Sequence, residues 1–187
     1  YKDLLNFCTI DLSALYFDIR KDTLYCDPIG SKKRKSCIIL LNIILNSLMK
    51  WFAPILSFTT EEIYKLLLLK NKSIHLEKFF TYPDKLKNND LNKKWVELIK
   101  IRDICNISIE EKRVSKEIGS SLEANLTINL NSSLYELTKN TDFTELCITS
   151  SAKIIKKDKS EIEVTTLKAT GNKCPVCWKI SKDLCPR

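Results

Sequence analysis

The sequence predicts a mainly α-helical protein: a helical bundle, then a small α/β appendage, then a partial C-terminal zinc knuckle. Three observations predict it. Apolar residues recur at spacings of three and four up to Ile118, the period changes to two beyond Gly119, and the last fifteen residues hold a C-x2-C pair with one more cysteine after it. The expected divisions are 1–119 for the bundle, 120–170 for a junction subdomain and 171–187 for the metal-binding module.

In residues 1–24, Leu4, Cys8, Leu12, Leu15, Tyr16 and Ile19 form one face of a core-facing helix. Asp27-Pro28 and Gly30 mark a turn, and Ser31 is placed to cap a second helix from Lys32 to Phe52. Cys37, Leu41, Ile44, Leu48 and Trp51 give that helix a broad apolar surface. It begins with Lys32-Lys33-Arg34-Lys35, although positive charge there opposes the helix dipole at a cost of about 0.3–1 kcal/mol. A solvated lysine face and a phosphate contact both explain the cluster.

Pro54 ends this helix. Thr59 with Glu62 reads as a capping box, and Phe58 with Ile63 as its hydrophobic staple, so a third helix is expected from Thr60 to about Leu69. His75 is the only histidine and is expected in a solvent-exposed loop. A fourth helix carries Leu91, Trp95, Leu98, Ile101 and Cys105 and continues to Ile118, with Gly119 as its stop. The neighbouring pairs Glu61/Glu62 and Glu110/Glu111 point in different helical directions and are surface charges, not an acid/base pair. Leu122 to Leu130 then alternates as an antiparallel-type strand, with a second strand at Ile162, Val164 and Thr166. Between them a short helix is expected near Leu134 and Leu137, a short strand at Cys147-Ile148-Thr149, and a basic turn from Lys153 to Lys159.

Composition narrows the class. The chain has 187 residues, 44% of them apolar, enough for a real core. Its longest apolar stretch, Cys37 to Leu48, is interrupted by polar residues and too short for a membrane span, so none is expected. Tyr1-Lys2-Asp3 is neither an initiator nor a secretory start, as in an excised piece of a longer chain. Cys8, Cys26, Cys37, Cys105 and Cys147 lack paired spacing and read as buried thiols in a reducing compartment. A net charge of +8 favours a polyanionic partner.

The chemistry concentrates at the C-terminus. Cys174, Cys177 and Cys185 have the spacing of one zinc knuckle plus the start of a second, three ligands of a tetrahedral four. A redox dithiol and isolated structural cysteines are the other readings. Trp178, between Lys173 and Lys179, can stack on an unpaired base while the ammonium groups meet phosphate, or it can cover the metal site. There is no phosphate loop, since the three glycines stand apart at 30, 119 and 171, and no Ser/His/Asp set. No catalytic or cofactor-binding residue is assigned.

Four blocks carry a resemblance: NFCTIDLSALYFDIRKDTLY at 6–25, WFAPILSFTTEE at 51–62, Glu111-Lys112-Arg113 with IGSSLEA at 118–124, and KCPVCW at 173–178 followed by Cys185-Pro186-Arg187. In this order they resemble the anticodon-binding region and C-terminal zinc module of the bacterial isoleucyl-tRNA synthetases, which are class I aminoacyl-tRNA synthetases. The resemblance implies a cytoplasmic, monomeric parent ligase that joins isoleucine to its tRNA. ATP and magnesium would act in an upstream catalytic domain. That domain's H-x-G-H signature needs two histidines, and its K-M-S-K-S loop needs a methionine between lysine and serine; the single Met49 lies between Leu48 and Lys50. The implied role is to orient tRNA, with Lys173, Trp178, Lys179, Arg113, Arg34 and Lys35 as candidate RNA contacts and zinc on an incomplete ligand set. The alternative is a non-catalytic nucleic-acid-binding protein with a glycosylase-type zinc finger; a redox helical scaffold is a third possibility.

Overall fold

Residues 2–26 are helical throughout, as α1 (Lys2–Asn6), a π-helical stretch (Phe7–Phe17) and α2 (Asp18–Cys26). The structure is a computed structural model that describes residues 1–68, 72–158 and 161–183. The wide i→i+5 turn suits the spacing of four that links Leu4, Cys8, Leu12 and Tyr16, all buried or half-buried. The chain divides into two units, Tyr1–Cys26 with Asn88–Arg187, and Asp27–Lys87.

In the larger unit, α5 (Asn89–Val114) starts at Asn88, whose side chain accepts from the Leu91 N–H at 2.9 Å. It buries Leu98, Ile101, Cys105 and Ile109, one stripe at spacings of three and four. The helix ends at Val114, five residues before the expected Gly119. Lys116 takes the left-handed conformation (φ 60°) while its N–H bonds Arg113 O and that of Glu117 bonds Lys112 O, a complete Schellman closure. Gly119 instead donates its N–H to Glu123 Oε2.

Beyond it, β1 (Ala124–Leu130) is the middle strand of a three-stranded sheet. Its apolar face of Ala124, Leu126, Ile128 and Leu130 joins the α5 stripe in one core. At about 1.5–3 kcal/mol for each fully buried large aliphatic side chain, this is the principal stabilising contact of the unit. After α6 (Ser132–Thr138) and α7 (Phe143–Leu146) the chain returns as β2 (Ser151–Lys156), parallel to β1, and β3 (Glu163–Lys168) pairs antiparallel on the other side. Two expectations are thereby corrected. Cys147 caps α7 and Ile148 adopts φ 55°, so Cys147-Ile148-Thr149 is a reversal and no strand. Lys153 and Lys156 lie on β2, an edge strand that turns Ala152 and Ile154 toward the core; lysine on an edge discourages further pairing.

Cys105 and Cys147 meet in this core, and their hydrogen bond and burial push the Cys105 thiol up, so it stays protonated. Cys8 and Cys26 are only half-buried, contrary to the buried-thiol reading.

The smaller unit pairs α3 (Lys32–Phe52) with α4 (Ser57–Leu68). Ser31 caps α3 as expected, its Oγ accepting from the Arg34 N–H. The capping box at Thr59 does not form. The Ile55 and Leu56 N–H groups bond Phe52 O and the Thr60 N–H bonds Leu56 O, so α4 is already under way at Ser57, and Phe58 is 92% exposed rather than stapled. At 21 residues, with a window of mean hydropathy 1.3, α3 is long and apolar enough to cross a membrane by length and composition, as a soluble core helix also can be. The expectation of no membrane span rests on Cys37–Leu48 alone, which omits the flanking turns of this expected helix.

Met49, Ala53, Tyr64 and Ile74 form this unit's core. Glu61 organises the return loop: its carboxylate pairs with Lys65 at 2.9 Å and accepts from Ser73 Oγ at 2.8 Å and the Ile74 N–H at 2.9 Å. These bonds, that to Lys65 foremost, push its pKa down from 4.5 to about 2. A lowered carboxyl pKa contributes stability that is complete above the unfolded value and is lost as pH falls through the folded one. The thermal midpoint of this unit should therefore decline between about pH 5 and pH 2, and Glu61→Gln should flatten that decline while lowering the midpoint at neutral pH. An unchanged acid profile in the variant would remove Glu61 from this role.

Candidate nucleic-acid interface

Two short strands, β4 (Asn172–Lys173) and β5 (Ile180–Ser181), carry the C-x2-C pair at the tip of a hairpin. The hairpin requires Gly171, with φ 135°, because a Cβ there would lie 2.3 Å from Ser181 O. Within the tip, the Cys174 N–H donates to Lys179 O at 2.9 Å, the Trp178 N–H to Cys174 O at 3.0 Å, and the Val176 N–H to Cys174 Sγ at 3.4 Å. Cys177 is buried and Cys174 half-buried.

The tip is tied down at three points. Lys179 Nζ lies 3.7 Å from Asp22 Oδ2 on α2, Cys26 Sγ donates to Val176 O at 3.8 Å, and Ser150 Oγ accepts the Ile180 N–H at 2.6 Å while donating to Leu122 O. α2 is itself fixed to α7, since Glu145 accepts from Arg20 at 2.7 Å and from the buried Thr23 at 3.2 Å.

Trp178 has φ 63° and is 60% exposed, with Lys173 Nζ 5.7 Å from its ring centroid. An exposed cation–π contact of this kind contributes about 0.5–1 kcal/mol and keeps a positive charge beside the indole. Of the six sequence-predicted contacts, Lys173, Trp178 and Lys179 thus come together at the tip. Lys179 arrives already paired with Asp22. Arg113, in the same unit, ends α5 paired with Glu110 at 2.7 Å. Beside it Lys112 pairs with Glu117, which holds that carboxyl below its usual range. Arg34 and Lys35 belong to the smaller unit: Arg34 donates to Asp27 O at 2.8 Å, and Lys35 is exposed with no ion pair among the described residues.

Among the described residues, no three of His, Cys, Asp or Glu are grouped so as to hold a metal ion. Cys174 and Cys177 fit half of a tetrahedral thiolate set. Cys185, the third expected ligand, lies outside the described residues.

Sequence reasoning missed Ser150, Cys26 and Ile148. Ser150 sits in an ordinary Thr-Ser-Ser run, and a β-branched residue such as Ile148 gives no hint of a left-handed conformation.

A family model described as the anticodon-binding domain of tRNA ligase matches residues 1–128. The chain is 66% identical over 187 residues to the isoleucine-tRNA ligase of Pelagibacter ubique, an alignment covering 100% of this chain and 21% of that protein. It is 38% identical to the isoleucine-tRNA ligase of Bartonella henselae, over 97% of this chain and 20% of the relative. With that of Methylacidiphilum infernorum it shares 39%, over 97% and 19%. The chain spans about one fifth of the length of these relatives.

Because Ser150 bridges two backbone groups, Ser150→Ala should cost about 1–3 kcal/mol by leaving them unpaired. The loss should be accompanied by a red shift and stronger quenching of Trp178 fluorescence, read in a background where Trp51 and Trp95 are replaced by Phe. An emission spectrum identical to that of the parent would show that the bridge does not hold the tip.

Proposed function

Because the chain belongs to the family of anticodon-binding domains of tRNA ligases, we propose that it is the tRNA-reading part of an isoleucine-tRNA ligase and holds the anticodon stem-loop while chemistry occurs elsewhere on the polypeptide. The observation that carries this reading is the pair at the hairpin tip: an indole turned outward by a left-handed backbone, with an ammonium group over its ring. An unpaired base stacks on such a platform and its phosphate meets the cation. Arg113, Arg34 and Lys35 are assigned to phosphates, where they contribute affinity and orientation but carry no sequence information. Fixing one end of a long RNA raises the effective concentration of its other end at a remote catalytic site.

The functional division follows the sequence: a helical part over 1–119, the α/β junction over 120–170 and the metal module over 171–187. ATP and magnesium belong to the upstream catalytic part of a monomeric, cytoplasmic enzyme. Cys174, Cys177 and Cys185 are assigned to a structural zinc ion, with the fourth ligand supplied beyond Arg187. The metal's contribution is to lock the hairpin tip against its continuation.

In the complete polypeptide, Trp178→Ala should slow tRNA charging about five- to 150-fold, the range that stacking on one base supplies. Isoleucine-dependent ATP/pyrophosphate exchange should be unaffected. Unaltered charging would remove the stacking role, and loss of both reactions would indicate a general structural defect. A chain extended past Arg187 should bind one zinc ion, and its cobalt-substituted form should show thiolate-to-metal absorption that Cys177→Ser abolishes; no metal uptake would overturn the ligand assignment.

A further inference from the structure

One aromatic residue of the smaller unit lacks the local contact that its sequence predicts. α4 is under way at Ser57, and Phe58 is left without its staple on the first turn of the helix, 92% exposed. His75 Nε2 lies 3.3 Å from Ser57 O, and Leu76, next in the chain and last in a 3₁₀ turn (Ile74–Leu76), is 79% exposed. Phe58 and Leu76 are thus brought to the same end of α4. The backbone beneath them is fixed: Glu61 accepts from Ser73 Oγ and from the Ile74 N–H, and the Ile74 side chain is buried in the unit's core. Exposed apolar groups on a fixed backbone lose little entropy when they dock. Cover would also stabilise the unit, because its core among the described residues is confined to Met49, Ala53, Tyr64 and Ile74, and a unit of this size is marginal by itself.

Charge and chain length choose the occupant. On α3, α4 and the return loop, Glu61, Glu62 and Glu77 offset Lys50, Lys65 and Lys78, and two of these lysines are already paired, Lys65 with Glu61 and Lys50 with Glu77. No net positive charge is left there to recruit a phosphate backbone, so the surface fits protein rather than RNA. The chain spans about one fifth of its relatives' length, and most of a polypeptide of that length lies outside it. A covalently tethered surface meets even a small apolar patch at a roughly millimolar effective concentration. Presenting a bound RNA to a remote catalytic centre also requires a fixed distance between reader and catalyst, which a loose connection does not supply. We infer that Phe58 and Leu76 dock on the upstream catalytic part of the same polypeptide and fix the smaller unit against it. The inference rests on the ligase reading above and concerns residues outside the unit that carries the hairpin tip.

The test places photoreactive benzoylphenylalanine at position 58 of the complete polypeptide, irradiates it with and without tRNA, and maps the products by mass spectrometry. The expected product is an internal crosslink, at the mass of one polypeptide, to a peptide upstream of Tyr1. Crosslinks confined to residues 1–187, a product of twice the mass, attachment to tRNA, or no crosslink at all each overturn the docking assignment. In the same polypeptide Phe58→Ser should lower kcat for tRNA charging by up to about a hundredfold, the penalty of misplacing a bound substrate by an ångström. Affinity for the anticodon stem-loop RNA and isoleucine-dependent ATP/pyrophosphate exchange should stay at the parent's values. Phe58→Leu should recover most of the loss, since docking needs an apolar group rather than a ring. Weakened stem-loop affinity in Phe58→Ser, or charging equal to the parent's, would remove the residue from this role. If Phe58→Ser does not fold, the crosslink decides alone. A parent polypeptide that charges isoleucine tRNA but crosslinks elsewhere overturns only the docking surface, whereas one that does not charge it overturns the ligase reading as well.

Discussion

Ala124, Leu126, Ile128 and Leu130 of β1 are withdrawn from water together with Ile101 and Cys105 of α5, and this single apolar contact sets the terms for the larger unit. A strand buried in that way must satisfy its backbone on both edges, so it becomes the centre of a sheet. One of its neighbours is parallel, and a parallel neighbour requires a crossover, which α6 and α7 supply. The crossover ends in the reversal at Cys147–Ser150. That reversal places Ile148 and Ser150 where the hairpin tip lands. The geometry of the candidate RNA site is thus inherited from a hydrophobic core that has no direct part in binding.

Most of the positive side chains assigned to RNA contact, in either unit, do not act as isolated cations. Lys179 is shared with Asp22, Arg113 with Glu110, and Arg34 with a main-chain carbonyl. A phosphate approaching any of them competes with an existing partner and obtains less than a bare cation would give. The long-range attraction comes from the +8 of the whole chain, while the paired side chains keep their positions until contact. Lys173 is different, since its partner is an aromatic ring that leaves its formal charge uncompensated.

Periodicity in the sequence revealed α5, β1 and β3 because each buries a regular stripe, and burial is what writes a period into a sequence; α3 was legible from its apolar repeat and its cap, although only Cys37, Ser47 and Met49 along it are buried. It was blind where local chemistry lost to tertiary context. Thr59 and Glu62 have the residues of a capping box, yet the turn after Pro54 starts α4 early and leaves them inside the helix. Gly119 was the natural helix stop by intrinsic preference, but a lysine took the left-handed position because the Schellman bonds at Arg113 and Lys112 were available there. β2 was invisible because Lys153 and Lys156 interrupt a short edge strand that turns only Ala152 and Ile154 into the core. At the site, the cysteine spacing and the flanking lysines were legible, since metal and phosphate chemistry fix residue types. Ser150, Cys26 and Ile148 were not, because serine, cysteine and isoleucine have the same appearance in any core.

The strand order β2-β1-β3 also fixes a sequence of assembly during synthesis. α5 can meet Ile19 and Leu15 of the N-terminal helices as it is made, but the rest of its apolar stripe is covered only once β1 follows. β2 cannot dock until the crossover has been made. The landing surface for the hairpin, built from Leu122 and Ser150, exists only after β1 and β2 have paired, and Gly171 lies beyond β3. The hairpin tip accordingly acquires its shape after the sheet beneath it. A nascent chain in which β1 and β2 have not paired has no surface on which the hairpin can land, so the tip takes its place only after the core.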